Sequence, residues 1–222
     1  MIFYHTRMQI DDAGTHKNDA FGNNTSYTAL DASVGSVNKE VVNMYDKCIA
    51  YLNQRGVQLE DIAECVLFLQ KEYHPQLTKE RCLQAIREVL HKREVQHALL
   101  TGICLDLAAE EQVLDDDDLQ YILMQDSALY GLDEVLAYGI CNLYGSIALT
   151  NYGYIDKCKP GIISELNKDH KDTCNTFLDD IVGAIAAASA GKLAHNLDQP
   201  STRKKETSLH QQDEPNSQRT PT

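Results

Sequence analysis

FLDDIVGAIAAASAGKLAH, Phe177 to His195, joins two adjacent carboxylates to a long run of small and aliphatic residues. A surface helix would show one polar face, and this run shows none. Gly183, Ala187, Ala190 and Gly191 make one small-residue face, with Ala184 and Ala188 beside it. Small side chains let neighbouring helices come close, so this helix is expected at the centre of a helical domain. Carboxylates avoid cores unless something pairs with them. Asp179 and Asp180 therefore either serve the helix end or hold a cation.

Outward from this segment the chain reads as helix after helix, with almost no strand signal. Val41, Tyr45, Cys48, Ile49 and Leu52 recur at helical spacing, and Gly56 closes that segment. Ile62, Val66 and Leu69 share one face of the segment from Leu59 to Tyr73, which ends at His74-Pro75. Thr78 is a good N-cap for KERCLQAIREVLHK. REVQHALLTGICLDLAAEEQV makes a fourth helix, LQYILMQD a short fifth, and LYGLDEVLAYGICNLYGSIAL a sixth. A short helix fits PGIISELN. The expected fold is all-α, a multihelical single domain packed around the small-residue helix.

Residues 1–37 are polar and lack a sustained period, which predicts a disordered or loosely held extension. Residues 38–196 form the expected domain, and 197–222 read as a disordered tail. The net charge is −13. Residues 1–37 carry two basic and four acidic groups and residues 196–222 four of each, so the domain itself keeps −11. Nucleic acid is excluded as a partner, because its phosphates need Lys and Arg. A phosphorylated substrate is not excluded if a divalent metal bridges the like charges.

The seven cysteines are odd in number and contain no CxxC pair. They read as reduced, mostly buried thiols of a cytoplasmic protein. The N-terminus lacks the apolar stretch of a signal peptide. Val135 to Ile155 is uncharged, but Asn142, Ser146, Thr150 and Asn151 dilute it. It reads as a buried core helix and not as a membrane span.

Two carboxylate doublets stand out. Asp133-Glu134 opens the sixth helix and Asp179-Asp180 the last, with Asp156 and Lys159 between them in YIDKCKPG. Adjacent helical residues point about 100° apart, so a doublet can aim one carboxylate at a cation and the other elsewhere. Mg²⁺ suits this supply, since it takes oxygen ligands and needs only one or two carboxylates beside substrate phosphate. Lys159 can meet a phosphate as a point charge. The structural alternative is that Thr176 and Asp179 form a capping box and that first-turn acids answer the helix dipole. Asp115 to Asp118 reads as a solvated loop or helix start. Glu94 and His97 have the ExxH spacing of di-iron bundles, but such sites need two such helices. No Cys-x5-Arg and no GK[ST] loop occurs.

YGLDEVLAYGI, DKCKPG and FLDDIVGAIAAA together resemble phosphatidylglycerophosphatase A, and most closely its soluble all-helical branch, the low-temperature-requirement C-like proteins of Firmicutes. The resemblance implies a Mg²⁺-dependent phosphatase that converts phosphatidylglycerophosphate to phosphatidylglycerol in phospholipid biosynthesis. By the same resemblance the catalytic residues are Asp133, Glu134, Asp156, Asp179 and Asp180. Asp133, Glu134, Asp179 and Asp180 would be the metal ligands, and Lys159 would bind substrate. It implies action in the cytoplasm or at the inner face of the membrane, on a phosphorylated lipid or a small phosphate ester, with peripheral membrane contact. The membrane enzymes carry an Arg where this chain has Gly153. Two alternatives stand beside this reading. One is a soluble Mg²⁺ hydrolase of nucleotides or small esters, with EDIAE (Glu60 to Glu64) and Glu110-Glu111 as its acidic motifs. The other is a non-catalytic regulatory or cold-adaptation protein. A small-residue central helix is compatible with a monomer or a homo-oligomer.

Overall fold

The computed structural model describes residues 43–168 and 172–197. These residues form helices α1 (Met44–Gln54), α2 (Leu59–Gln70), α3 (Lys79–Leu90), α4 (Arg93–Glu110), α5 (Asp117–Met124), α6 (Leu132–Asn142), α7 (Gly145–Cys158), α8 (Ile162–Leu166) and α9 (Leu178–Leu197), with no strand among them. The two expected extensions fall outside the described residues, apart from Leu197 at the end of α9.

The all-α expectation holds, and so does the central place of the last helix. Every residue from Thr176 to Gly191 is buried. α2, α3, α4, α6, α7 and α8 all pack on α9. Its small residues are what allow this. A Cβ on Gly191 would lie 3.1 Å from the backbone nitrogen of Ala148 on α7. A Cβ on Gly102 of α4 would lie 2.9 Å from Cβ of Phe177, just before α9. At Gly102 a methyl group would displace the side chains of Phe177 and Ile181, and at Gly191 it would press on the backbone of Ala148.

Helices α3 and α5 begin at side-chain caps. Thr78 Oγ1 accepts the Arg81 N–H at 3.4 Å, and Asp116 Oδ1 accepts the Leu119 N–H at 2.8 Å. The acidic run from Asp115 is therefore the start of α5. Among the cysteines, Cys104 and Cys158 are exposed and the other five are buried, and all seven are free thiols.

The sixth expected helix is two helices. α6 stops at Asn142, and Gly145 takes a φ of +78° before α7 runs on to Cys158. A left-handed residue just past a helix end is favoured at glycine, which has no Cβ to clash. The expectation of a buried helix over 135–155 is also corrected. Ala137, Ile140, Cys141, Ala148, Tyr152 and Ile155 turn inward, while Val135, Tyr138 and Tyr154 are exposed. An uncharged segment need not be enclosed, because polar and small side chains tolerate water without charge. Among the described residues no helix is long and apolar enough to cross a membrane.

Candidate active site

The separate carboxylates arrive at one place through three helix ends. α6 begins at Gly131, whose φ of +71° turns the chain so that Asp133 and Glu134 enter the first helical turn. α7 delivers Asp156 in its last turn and ends on Lys159, which sits in the left-handed region at φ +40°. α9 begins with Asp179 and Asp180. Asp133, Glu134, Asp156, Lys159, Asp179 and Asp180 line one pocket of about 150 Å³, together with Asp126 and the loop from Ser127 to Gly131. All six residues singled out in the sequence are thus neighbours, although they span 48 positions of chain.

Each doublet uses its first member in the same way. Asp133 Oδ1 accepts the Glu134 N–H at 3.0 Å, and Asp179 Oδ1 accepts the Asp180 N–H at 2.9 Å. Lys159 stands between the doublets. Its Nζ donates to Asp156 Oδ1 at 2.9 Å and to Asp179 Oδ2 at 3.0 Å. Asp179 is 5% exposed, Asp180 7% and Asp133 9%. Burial works against the lysine's charge, but Asp179 and Asp156 outweigh it and hold Lys159 above its ordinary range.

One ammonium does not neutralise this crowd. Burial pushes the Asp180 carboxyl up to about 8, and the charge of Asp179 adds to that. Burial raises Asp179 to about 6 against the pull of Lys159. Glu134 and Asp126 are raised as well, by burial first and then by Asp133. The Tyr152 hydroxyl is buried with no hydrogen-bond partner among the described residues, and it lies close enough to Asp180 to feel its charge. With Lys159 clasped between two of the carboxylates, no group of three or more His, Cys, Asp or Glu among the described residues is arranged for a metal ion. The donor set nevertheless fits one: it is all oxygen, in excess of its counter-charge, and partly desolvated.

Several contributors escape a reading of the chain alone. Asp106 of α4 is fully buried, and its two oxygens accept the N–H groups of Phe177 at 3.1 Å and Leu178 at 3.0 Å. The cap of α9 therefore comes from a residue 72 positions upstream. Thr176, expected to form a capping box with Asp179, instead donates its hydroxyl to the Leu123 carbonyl at 2.7 Å. Arg55 adds a second clamp on the same loop. It meets Glu110 at 2.6 Å and donates to the Cys174 carbonyl at 2.7 Å, while Glu110 accepts the Cys174 N–H. Asp106 had a visible signal, since it falls on the buried face of α4 with Leu99, Gly102, Ile103 and Ala109. Asp126 and Arg55 had none.

The residues of the nucleotide-hydrolase alternative do not gather. Glu64 is exposed and pairs with Lys79 at 3.0 Å, and Glu110 is spent on Arg55. Glu94 and His97 are both exposed on α4.

Comparison with known proteins adds to this geometry. The family model for phosphatidylglycerophosphatase A matches residues 49–195. The uncharacterized protein YutG of Bacillus subtilis (strain 168) is 55% identical over 160 residues, covering 72% of this chain and 96% of that protein. The crystal structure of the low temperature requirement C protein from Listeria monocytogenes superposes with a TM-score of 0.69 at 54% identity, covering 70% of this chain and 98% of the other. A protein of unknown function from Bacillus stearothermophilus gives 0.67 at 54% identity, covering 70% and 97%. The match takes in every helix from α2 to α8 and all six residues of the carboxylate pocket, and this chain belongs to the phosphatidylglycerophosphatase A family.

Proposed function

We propose that this protein is a Mg²⁺-dependent phosphatase of phosphate monoesters, with phosphatidylglycerophosphate as the substrate its family puts first. The observation that carries the proposal is the convergence of five carboxylates and one lysine from three helices on one pocket. In this reading Asp133, Glu134, Asp179 and Asp180 hold the metal. When bound, Mg²⁺ would polarise the phosphoryl group and lower the pKa of an attacking water. Asp156 keeps Lys159 oriented, and Lys159 offers its ammonium to the phosphoryl oxygens. The clamp of Asp106, Arg55 and Glu110 on residues 174–178 fixes the start of α9, and through it the direction of Asp179 and Asp180. Water adds to phosphorus, the P–O bond to the alcohol breaks, and the alcohol leaves with a proton.

Contact with a lipid surface has its own support. Leu129 is fully exposed in the pocket wall, and Leu132 and Val135 follow it on the outer face of α6 at 55% and 61% exposure. Exposed aliphatic residues at the rim of a site are what a lipid headgroup enzyme presents to the membrane. We place the protein in the cytoplasm, working there or at the inner face of the membrane.

The test is phosphate release from phosphatidylglycerophosphate in mixed micelles, with Mg²⁺ and with EDTA, for wild type, Asp133→Asn and Asp179→Asn. The expected outcome is Mg²⁺-dependent release by wild type and a loss of at least about 100-fold in each folded variant. Activity that survives EDTA, or variants that match wild type, would remove the carboxylates from the chemistry.

A further inference from the structure

Tyr152 stands among the three helices that deliver the carboxylates. It belongs to α7, one turn before Asp156. Its ring meets Tyr138 of α6 edge-on, with centroids 5.2 Å apart and planes at 77°. On the α9 side it lies over Gly183, where a Cβ would come 3.7 Å from Tyr152 Cε2. Gly183 is one turn beyond Asp180. Tyr152 is 1% exposed, and its hydroxyl has no hydrogen-bond partner among the described residues, although Asp180 is near enough for its charge to act on it. The Asp180 carboxylate is in the same condition. Asp179 uses Oδ1 on the Asp180 N–H and Oδ2 on Lys159, and Lys159 is divided between Asp179 and Asp156. That leaves the Asp180 oxygens without a hydrogen bond among the described residues. A buried donor and a buried acceptor thus lie side by side, unjoined.

We infer that Tyr152 is a positioning residue for Asp180, its hydroxyl donating to the carboxylate oxygen that faces away from the metal. The inference rests on the metal reading above and deepens it. A carboxylate that gives one oxygen to a cation turns freely unless its other oxygen is held. Outer partners of this kind orient a ligand and strengthen its grip. A phenol keeps its proton at neutral pH, so towards a carboxylate it can only donate. A neutral donor also suits the place better than a second ammonium, whose charge would repel the cation. The ring cannot follow a moving carboxylate, because Tyr138, Gly183 and its own helix hold it. Its hydroxyl therefore marks one orientation of Asp180. Left unpartnered, a buried hydroxyl costs stability, and phenylalanine would fill the same space without that cost. Tyrosine here is a loss to the metal-free fold and a gain to the metal-bound site.

Tyr152→Phe removes the hydroxyl and keeps the ring. Tyr138→Phe is the control, because Tyr138 touches the same ring and is 46% exposed. Mg²⁺ affinity is read by isothermal titration calorimetry, and stability by thermal melts in EDTA. Tyr152→Phe should bind Mg²⁺ about tenfold more weakly than wild type. In EDTA it should melt at or above the wild-type midpoint. Tyr138→Phe should keep the wild-type Kd for Mg²⁺. In phosphate release by Tyr152→Phe, the Mg²⁺ concentration for half-maximal rate should rise by the same factor, with the rate at saturating Mg²⁺ nearly unchanged. A side chain that only packs would lower the midpoint and leave the Kd alone. An unchanged Kd in Tyr152→Phe therefore overturns the inference. A midpoint in EDTA below wild type overturns it too, since the hydroxyl would already be bonded without metal. So does an equal loss of affinity in Tyr138→Phe, which would assign the effect to ring packing. Wild type that binds no Mg²⁺ overturns the metal reading and this inference together, whereas wild type and Tyr152→Phe binding it equally overturn this inference alone.

Discussion

Asp106 shows what one buried carboxyl does for the site. It accepts two backbone N–H groups at the start of α9, and a thiol hydrogen from Cys174 at 3.5 Å. Burial pushes it up to about 7, against those donors and the nearby charge of Arg55. A carboxyl raised from its ordinary value of 3.8 contributes stability that is fully present below that value and is lost as pH rises through about 7. Asp106→Asn does not titrate and leaves one of the two N–H groups without an acceptor. The variant should be less stable than wild type by about 1–2 kcal/mol at pH 5. The gap should narrow as pH rises towards 8, read by urea denaturation at several pH values. A gap that widens with pH would mean that the donors, and not burial, govern this carboxyl. At Gly153 the sign is reversed. A Cβ there meets nothing within 4 Å, and the position is mid-helix and exposed. Gly153→Arg should stabilise the protein by about 0.5–1 kcal/mol through helix propensity. It also adds a cation one turn before Asp156, so KM for phosphate esters should fall.

At the scale of elements, the fold depends on where helices touch α9. Gly102→Ala must move Ile181, 2.3 Å away, and also Cβ of Phe177, which cannot swing aside. It should cost about 1–3 kcal/mol and disturb the start of α9, lowering activity as well as thermal midpoint. Gly183→Ala meets only ordinary contacts at 3.7 Å with Tyr152, Ile155 and Ile163. It should be neutral or mildly stabilising. Thermal melts of the pair check the contrast, and equal destabilisation would show that glycine is kept for another reason. The helices themselves were legible in the chain. The 3.6-residue period marks α1 to α4, and Thr78 caps α3 as expected, but α2 ends at Gln70, three residues short of the Tyr73 that precedes His74-Pro75. The break between α6 and α7 was not, because Gly145 sits in a run whose apolar period continues through it. A glycine turns a helix only when the packing of the helices on either side favours the turn, and α6 and α7 both pack on α9.

For the whole molecule the central fact is an excess of negative charge gathered at three helix ends. If the carboxylates hold Mg²⁺, the metal binds the native state alone and must stabilise it. At a concentration 100 times its Kd, Mg²⁺ should add about 2.7 kcal/mol. EDTA should reverse the gain, and Asp133→Asn and Asp179→Asn should show little of it. A thermal midpoint indifferent to Mg²⁺ would argue that Lys159 alone balances the site. The sequence by itself determined the all-α class, the central helix and the identity of the six pocket residues, because hydrophobic period, small-residue spacing and short motifs are local properties. Tertiary structure alone decided that Lys159 is clasped by Asp156 and Asp179, that Asp106 caps α9, and that the Tyr152 hydroxyl is buried beside Asp180. Those contacts join residues separated by up to 72 positions. Their geometry depends on helix crossings set by close packing, which no local pattern in the chain encodes.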